Sequence, residues 1–423
     1  MAKLEEHIWE PDFAGPTRRD RRPCRYSLYL PDQLTGRRFA LDGDVAADVA
    51  DAEADLVKLN AVVDALADTE ALARLLLRAE SVASSRIEGL VVGGRRLLRA
   101  DAARRMGEEV WDVTAAEVLA NIDAMVWGVA AVEPGDQVTL EILLEVHRRL
   151  LAGTRLREHG GRIRTVQNWI GGSGYNPCSA VFVPPPPEEV PALLDDLLAF
   201  CNDDGLPALV QAAIAHAQFE TIHPFVDGNG RAGRALLHLI LRRRGIATHF
   251  LPPVSLVLAT WAEDYVAGLT ATRYVGDTNS DAAHAGVNRW VALFAGACQR
   301  AVADARAFEE RVRRLQAAWR ERVGNPRRDS AMHRLIGALP AAPVLTATTA
   351  AELTDRSFQA ANQAIDRLVA AAVLVQVNVG RRNRAFEAPE LIDAFTALER
   401  QLASPEGDTL VSEPIRDVPR RRR

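Results

Sequence analysis

Twelve residues, His223 to Arg234 (HPFVDGNGRAGR), gather one imidazole, one carboxylate, three glycines and two guanidinium groups. An imidazole such as that of His223 accepts a proton near neutral pH, for instance from a hydroxyl. Asp227 offers the single carboxylate through which Mg²⁺ binds when phosphates complete its shell. Gly228 and Gly230 let backbone N–H groups come close to a ligand. Arg231 and Arg234, three residues apart on a helix, can flank one bound group. Two guanidinium forks suit a polyphosphate better than a single carboxylate. Pro224 and Phe225 fix where the loop begins and bury one side chain under it. The chemistry implied is a nucleoside triphosphate held with Mg²⁺ beside a hydroxyl that His223 deprotonates.

These groups need a scaffold. The apolar stretch ALVQAAIAHAQFETI leads into the loop and GRAGRALLHLILRRR leaves it, so the loop sits at a helix N-terminus. There the first N–H groups and the helix dipole favour an anion. Gly228, Gly230 and Gly233 also spell GxGxxG, but the dinucleotide fingerprint requires a preceding strand and a parallel sheet. A helix precedes the motif and no βαβ pattern surrounds it, which argues against a dehydrogenase.

Apolar residues at three- and four-residue spacing predict helices over 45–88, 112–131, 139–152, 190–203, 207–222, 231–244 and 287–323. Two short apolar runs in 165–187 flank a Gly/Asn/Pro turn and end in four prolines, the pattern of an isolated β-hairpin. Residues 1–45, with turn-formers and the basic cluster TRRDRRPCR, read as an irregular arm. Residues 331–403 read as helix, turn, helix and a β-ribbon around a Gly-centred turn, a winged-helix arrangement. The expected organisation is an N-terminal arm and helical region (1–110), a core (111–300), a connecting helix and linker (301–330), the winged helix (331–403) and a disordered tail (404–423). The fold class expected is mostly α.

The 423 residues are 48% hydrophobic and 25% charged, as in ordinary globular proteins. A net charge of −5 argues against a generic nucleic-acid or membrane-surface role. The N-terminus MAKLEEHIWEPDF lacks the apolar core of a signal peptide, and no long uninterrupted apolar run suggests a spanning helix. Cys24, Cys178, Cys201 and Cys298 form no CxxC pair and no zinc spacing with histidine. They read as reduced thiols in a cytoplasmic protein.

HPFVDGNGRAGR resembles the signature of the Fic family, HPFx[D/E]GNGRxxR, at every specified position. The resemblance implies a Fic-type helical core with a β-hairpin flap and transfer of AMP from ATP to a Ser, Thr or Tyr hydroxyl of a target protein. It makes His223 the general base and Asp227 the Mg²⁺ ligand. It assigns nucleotide binding to Gly228, Asn229, Gly230, Arg231, Gly233 and Arg234, with Arg234 reaching the γ-phosphate. Tyr265, in DYVAGL, matches the first of two tyrosines the family places near the base; the second position is Val266, and Tyr265 reads equally well as core packing. GRIRTVQNWIGG and AVFVPPPPEEV resemble the stretches around the family's flap, which aligns a target segment as an added strand.

Upstream, SSRIEG resembles the family's inhibitory pattern [S/T]xxxE[G/N] at Ser84, Glu88 and Gly89. A carboxylate paired with Arg234 would occupy the place of the γ-phosphate and leave ATP in an unproductive pose. The same Glu could orient water to remove AMP from a modified target. Ser85-x-x-Glu88 also spells a capping box, although GLVVGG does not continue a helix. The partners implied are a target protein at the flap, the chain itself as substrate and a second copy as a homodimer; a membrane is not among them.

The winged helix raises an alternative, a DNA-binding transcriptional regulator with the Fic core as sensor. Gln359, Asn362, Gln363 and Arg367 could read base edges, and Arg381, Arg382 and Arg384 could meet phosphate. Seven arginines in 331–403 are offset by seven acids, which argues against a DNA footprint. His147, His216 and His238 lie on apolar helical faces and read as core or surface histidines. Trp290 and Phe294 read as core. Arg242, Arg243 and Arg244 end a helix, where the dipole favours positive charge.

Overall fold

A computed structural model describes residues 1–10, 17–18, 20–61, 69–379 and 383–401. The chain divides into two units. One comprises 1–53, 127–246 and 263–296; the other comprises 54–126, 247–262 and 297–423. Apart from two small antiparallel sheets and isolated bridges, the regular structure is helical.

The first unit is built around α7 (Ala208–Ile222), in which all fifteen residues are buried. A helix buried on every face must lie inside a bundle. Its neighbours are α6 (Val190–Cys201) and α8 (Asn229–Arg243). Helix α5 (Leu140–Leu151), N-capped by Thr139, packs on α8. Trp290, in α11 (Asp281–Arg322), buries its indole in this core and donates its N–H to the Ala213 carbonyl at 2.7 Å. Arg242, Arg243 and Arg244, which needed no more than the helix dipole to explain them, also hydrogen-bond Val132, Asn202 and Leu206 carbonyls respectively.

The N-terminal segment is not an irregular arm. Strands β1 (Lys3–Trp9) and β2 (Cys24–Leu30) pair antiparallel, from Lys3 opposite Leu30 to Trp9 opposite Cys24. The alternation was hard to read because Leu4 and Ile8 are exposed and β1 carries four charged or titratable side chains in a row of seven. Cys24 forms a disulfide with Cys178, 154 residues away. The expectation of four reduced thiols is corrected for this pair; Cys201 and Cys298 are buried and reduced. With a disulfide present, cysteine usage no longer marks a reducing compartment.

The 165–187 segment folds back on itself through one antiparallel bridge, Ile170 to Phe182, rather than through extended strands. Ile170 donates to the Phe182 carbonyl and Val181 donates to Ile170, both at 2.8 Å. The β1–β2 pair and the residues before β2 lie against this segment. The Tyr29 N–H donates to Val183 at 3.0 Å, the Asn176 amide to Asp20 at 3.0 Å, and the Trp9 and Trp169 rings meet edge to face.

In the second unit α2 (Thr69–Ile87) packs on α9 (Val254–Thr260), where Glu80 accepts hydrogen bonds from the Ser255 backbone and hydroxyl. Helix α3 (Gly94–Arg105) and the first part of α4 (Val113–Ala130) share an apolar cluster with Val82 and Val92. The C-terminal segment runs α12 (Ala331–Ala338), β3 (Val344–Leu345), α13 (Ala347–Thr354), α14 (Phe358–Ala370), β4 (Val375–Val379), β5 (Asn383–Glu387), α15 (Pro389–Gln401). Its three strands are ordered β3-β5-β4, all antiparallel. Leu98 and Ala102 of α3 pack against Val344, Ala385 and Ile392, and Arg99 donates to the buried Glu387 at 2.9 Å. Arg381, Arg382 and residues 404–423 lie outside the described residues. Among the described residues, only α4 is long and apolar enough to cross a membrane by length and composition, and half of it is buried, as in a core helix.

Candidate active site

The loop between α7 and α8 begins and ends in left-handed backbone. His223 follows α7 at φ 51°, ψ 59°, and Gly228 precedes α8 at φ 76°, ψ 13°. A non-glycine residue in that region is uncommon and requires outside support. For His223 the support is Arg164. Its guanidinium is buried and donates from Nε to the His223 carbonyl at 2.9 Å. It also reaches the carbonyls of Val166 at 3.1 Å, Pro185 at 2.5 Å and Ile222 at 3.3 Å. Burial lowers the Arg164 pKa to about 10, which leaves it charged at neutral pH. The Asn168 amide donates to the carbonyls of His223 and Phe225 at 3.3 and 3.0 Å.

Inside the loop Asn229 closes a ring of two hydrogen bonds. Its Oδ1 accepts from the Phe225 N–H at 2.8 Å, and its Nδ2 donates to the Phe225 carbonyl at 2.9 Å. Phe225 is fully buried and stacks on His147, with ring centroids 3.7 Å apart and planes 6° from parallel. A Cβ at Gly228 would stand 2.9 Å from Leu150 in addition to its unfavourable φ. Only glycine fits there without strain.

The first helical bond of α8 runs from the Ala232 N–H to the Gly228 carbonyl at 3.0 Å. The N–H groups of Asn229, Gly230 and Arg231 therefore precede the helical ladder, at the positive end of the dipole. Arg231 and Arg234, on the first turns, are 4% and 1% exposed. Asp227 is exposed, and its Oδ2 lies 3.7 Å from Arg231 Nη2. His223 is half-buried at the opposite end of the loop. The loop thus brings one imidazole, one carboxylate and two buried arginines together ahead of and on the first turns of α8.

Three residues expected to contact nucleotide also serve packing or loop closure. Tyr265, in α10 (Ala262–Ala271), is buried, with its hydroxyl 2.8 Å from His216 Nε2 and its ring beside Trp290. That environment is core packing. Gly233 faces α7, where an added Cβ would meet Glu220 at 2.8 Å and Phe219 at 2.9 Å; it permits the two helices to approach. The Asn229 side chain holds the loop shut. Burial pushes the imidazoles of His216 and His147 down to about 3 and about 4, so both are neutral at physiological pH. Sequence reasoning missed Arg164 and Asn168 as loop supports. They sit in GRIRTVQNWIGG, which drew attention only as a flap.

The SSRIEG motif lies in the second unit. Ser84 is fully buried near the end of α2, and Glu88 is exposed just past it. The Leu90 N–H donates to Ser85 at 3.0 Å and Gly89 has φ 82°, a helix-terminating turn. Ser85 therefore cannot cap the start of a helix. Its hydroxyl instead donates to Ser81 and accepts from Asn121, both at 3.0 Å.

A largely helical protein with a glycine- and arginine-rich turn at the head of a buried helix is the class that the fold and site define. The Fic/DOC family model matches residues 137–241, and the Fic/DOC family N-terminal model matches 46–130. Over these residues the chain is similar to the Fic/DOC family. It is similar to a protein adenylyltransferase, fic-1, of Caenorhabditis elegans, 39% identical over 133 residues, or 31% of this chain and 23% of that protein. It is also similar to the protein adenylyltransferase Fic of Drosophila grimshawi, 34% identical over 119 residues, or 27% of this chain and 23% of that protein. The chain thus spans about a quarter of the length of the curated relatives it matches. A Fic family protein of Desulfovibrio desulfuricans has a similar fold, with a TM-score of 0.50 at 21% identity over 83% of this chain and 97% of that one.

Proposed function

We propose that the chain is a protein adenylyltransferase that moves AMP from ATP to a Ser, Thr or Tyr hydroxyl of a target protein, itself included. The observation that carries the reading is the α7–α8 loop: N–H groups ahead of the α8 ladder, two buried arginines on its first turns and His223 at its far end. His223 takes the proton of the target hydroxyl as the oxygen attacks the α-phosphorus. The α–β phosphoanhydride bond breaks, and pyrophosphate leaves against Arg231 and Arg234. Fixed donors placed where charge develops are the main source of rate in such a site.

Among the described residues no cluster of three or more carboxylates, histidines or cysteines could hold a metal alone. An exposed single carboxylate fits Mg²⁺ that arrives with phosphates. Asp227 would hold it, and the ion would neutralise charge on the leaving phosphates.

The target is proposed to dock along the flap. Glu88 is proposed as a brake that competes with the γ-phosphate for Arg234. This rests on the SSRIEG motif. Removal of AMP from modified targets, with Glu88 orienting water, is a secondary activity of the same site. The α12–α14 helices with the β3-β5-β4 sheet are proposed as a winged helix that docks protein. DNA is disfavoured by the balanced charge and because the Arg367 guanidinium donates to the Val323 carbonyl at 3.1 Å.

The test uses ATP labelled at the α-phosphate, the full chain, Glu88→Gly and a His223→Ala control. Label should enter protein, more with Glu88→Gly than with wild type, and not with His223→Ala. No label in any protein with either active form overturns the transfer reaction. Equal label from wild type and Glu88→Gly overturns only the brake.

A further inference from the structure

His147 lies on α5, outside the loop motif, and nothing in its sequence context marks it as more than a core histidine. Its surroundings do. The ring is fully buried and held on three sides. The Gly161 N–H donates to Nδ1 at 3.1 Å. Nε2 lies 3.0 Å from the Asp227 carbonyl oxygen. One face stacks on Phe225.

These contacts fix the tautomer. A backbone N–H can only donate, so Nδ1 must carry the lone pair. The ring proton then sits on Nε2 and donates to the Asp227 oxygen. A trans peptide unit is planar, with its C=O and N–H pointing in opposite directions. Holding the Asp227 oxygen therefore fixes the plane of the Asp227–Gly228 peptide and turns the Gly228 N–H away from His147. Gly228 is the N-cap residue that precedes α8.

We propose that His147 is a positioning residue for the phosphate cradle: through the Asp227 carbonyl it aims the Gly228 N–H toward the bound polyphosphate and holds the Asp227 backbone in register. The proposal rests on the nucleotide-binding reading above. Gly161 completes the device. Its φ of 74° and the 3.1 Å approach of an added Cβ to the Leu144 carbonyl leave room for glycine alone, so the amide that sets the tautomer is itself locked.

The experiment compares wild type, His147→Phe and His147→Gln as full-length chains. Phe keeps the ring stack and loses both hydrogen bonds. Gln can place an amide N–H near the former Nε2. Mg-ATP affinity is measured by calorimetry, and the Gly228 amide is followed by ¹⁵N NMR. His147→Phe should weaken Mg-ATP binding about tenfold, roughly the worth of one hydrogen bond, and shift the Gly228 amide, while His147→Gln recovers most of both. Binding by His147→Phe within twofold of wild type, or equal losses in both variants, overturns the proposal. If neither wild type nor Glu88→Gly takes up Mg-ATP, the function reading fails. The tether is then decided by the Gly228 amide alone: an unmoved signal in His147→Phe overturns it, and a shift reversed in His147→Gln upholds it.

Discussion

The Arg164 Nε donates to the carbonyl of His223 at 2.9 Å, and this bond joins the flap segment to the residue in the least favourable backbone conformation of the loop. The same guanidinium reaches three further carbonyls. A lysine in its place keeps the charge but not the planar fork. Arg164→Lys should cost about 3 kcal/mol of stability, since buried carbonyls left without donors carry their full desolvation penalty. It should also speed amide exchange at Ile222, His223 and Phe225. Chemical denaturation and hydrogen exchange check both. An unfolding midpoint unchanged from wild type would show that the four bonds are incidental.

Gly233 tests the separation of packing from ligand contact. In an exposed helix, Gly→Ala stabilises by about 1 kcal/mol. Here the added methyl would stand 2.9 Å from the fully buried Phe219 ring. Overpacking of that kind costs about 1–3 kcal/mol. Gly233→Ala should therefore lower the thermal midpoint despite its helix propensity. A rise in the midpoint would mean that α7 and α8 yield easily and that Gly233 has another task.

The loop was legible because its chemistry is local: the residues that hold the cradle are contiguous, and glycine spacing near a helix start has a direct physical meaning. The long helices were legible for the same reason. What escaped was non-local. Tyr265 could not be assigned to the core without His216, 49 residues away. Arg164 looked like part of a flap because its carbonyl partners at Pro185, Ile222 and His223 come together only on folding. The short helices α3, α9 and α10 drew no prediction. In α3, GRRLLRADAARR buries few of its twelve residues and its arginines mask the apolar face. The β1–β2 pair was hidden by its charges and by the exposure of Leu4 and Ile8.

The Cys24–Cys178 bond is the sharpest case of a non-local feature, and it can be tested directly. Crosslinking residues 154 apart restricts the unfolded chain by up to about 5 kcal/mol in the chain-entropy model. Purified protein kept from reductants should show two alkylatable thiols, Cys201 and Cys298, and only after unfolding, since both are buried. Cys24→Ser should unfold at a lower temperature than oxidised wild type. Adding dithiothreitol should bring wild type down to the variant's midpoint and leave the variant unchanged. Four thiols in unfolded, never-reduced protein would mean that β2 and the flap meet without a covalent bond.

Stability should fall in acid partly through His216. Burial, aided by the nearby Arg234 charge, pushes its pKa down to about 3 from an ordinary 6.5. Above pH 6.5 both folded and unfolded chains hold it neutral, and its full contribution is present. As pH drops from 6.5 toward 3, the unfolded chain binds a proton that the native state refuses, so stability is lost. Below about 3 both states are protonated and no more is lost. His216→Gln can still offer a hydrogen bond to Tyr265 and does not titrate. Its unfolding free energy should depend less steeply on pH between 6.5 and 4 than that of wild type, while carboxylates contribute equally to both. Parallel slopes across that window would place the His216 imidazole in a wetter, protonatable site than the core that Tyr265 and Trp290 build around it.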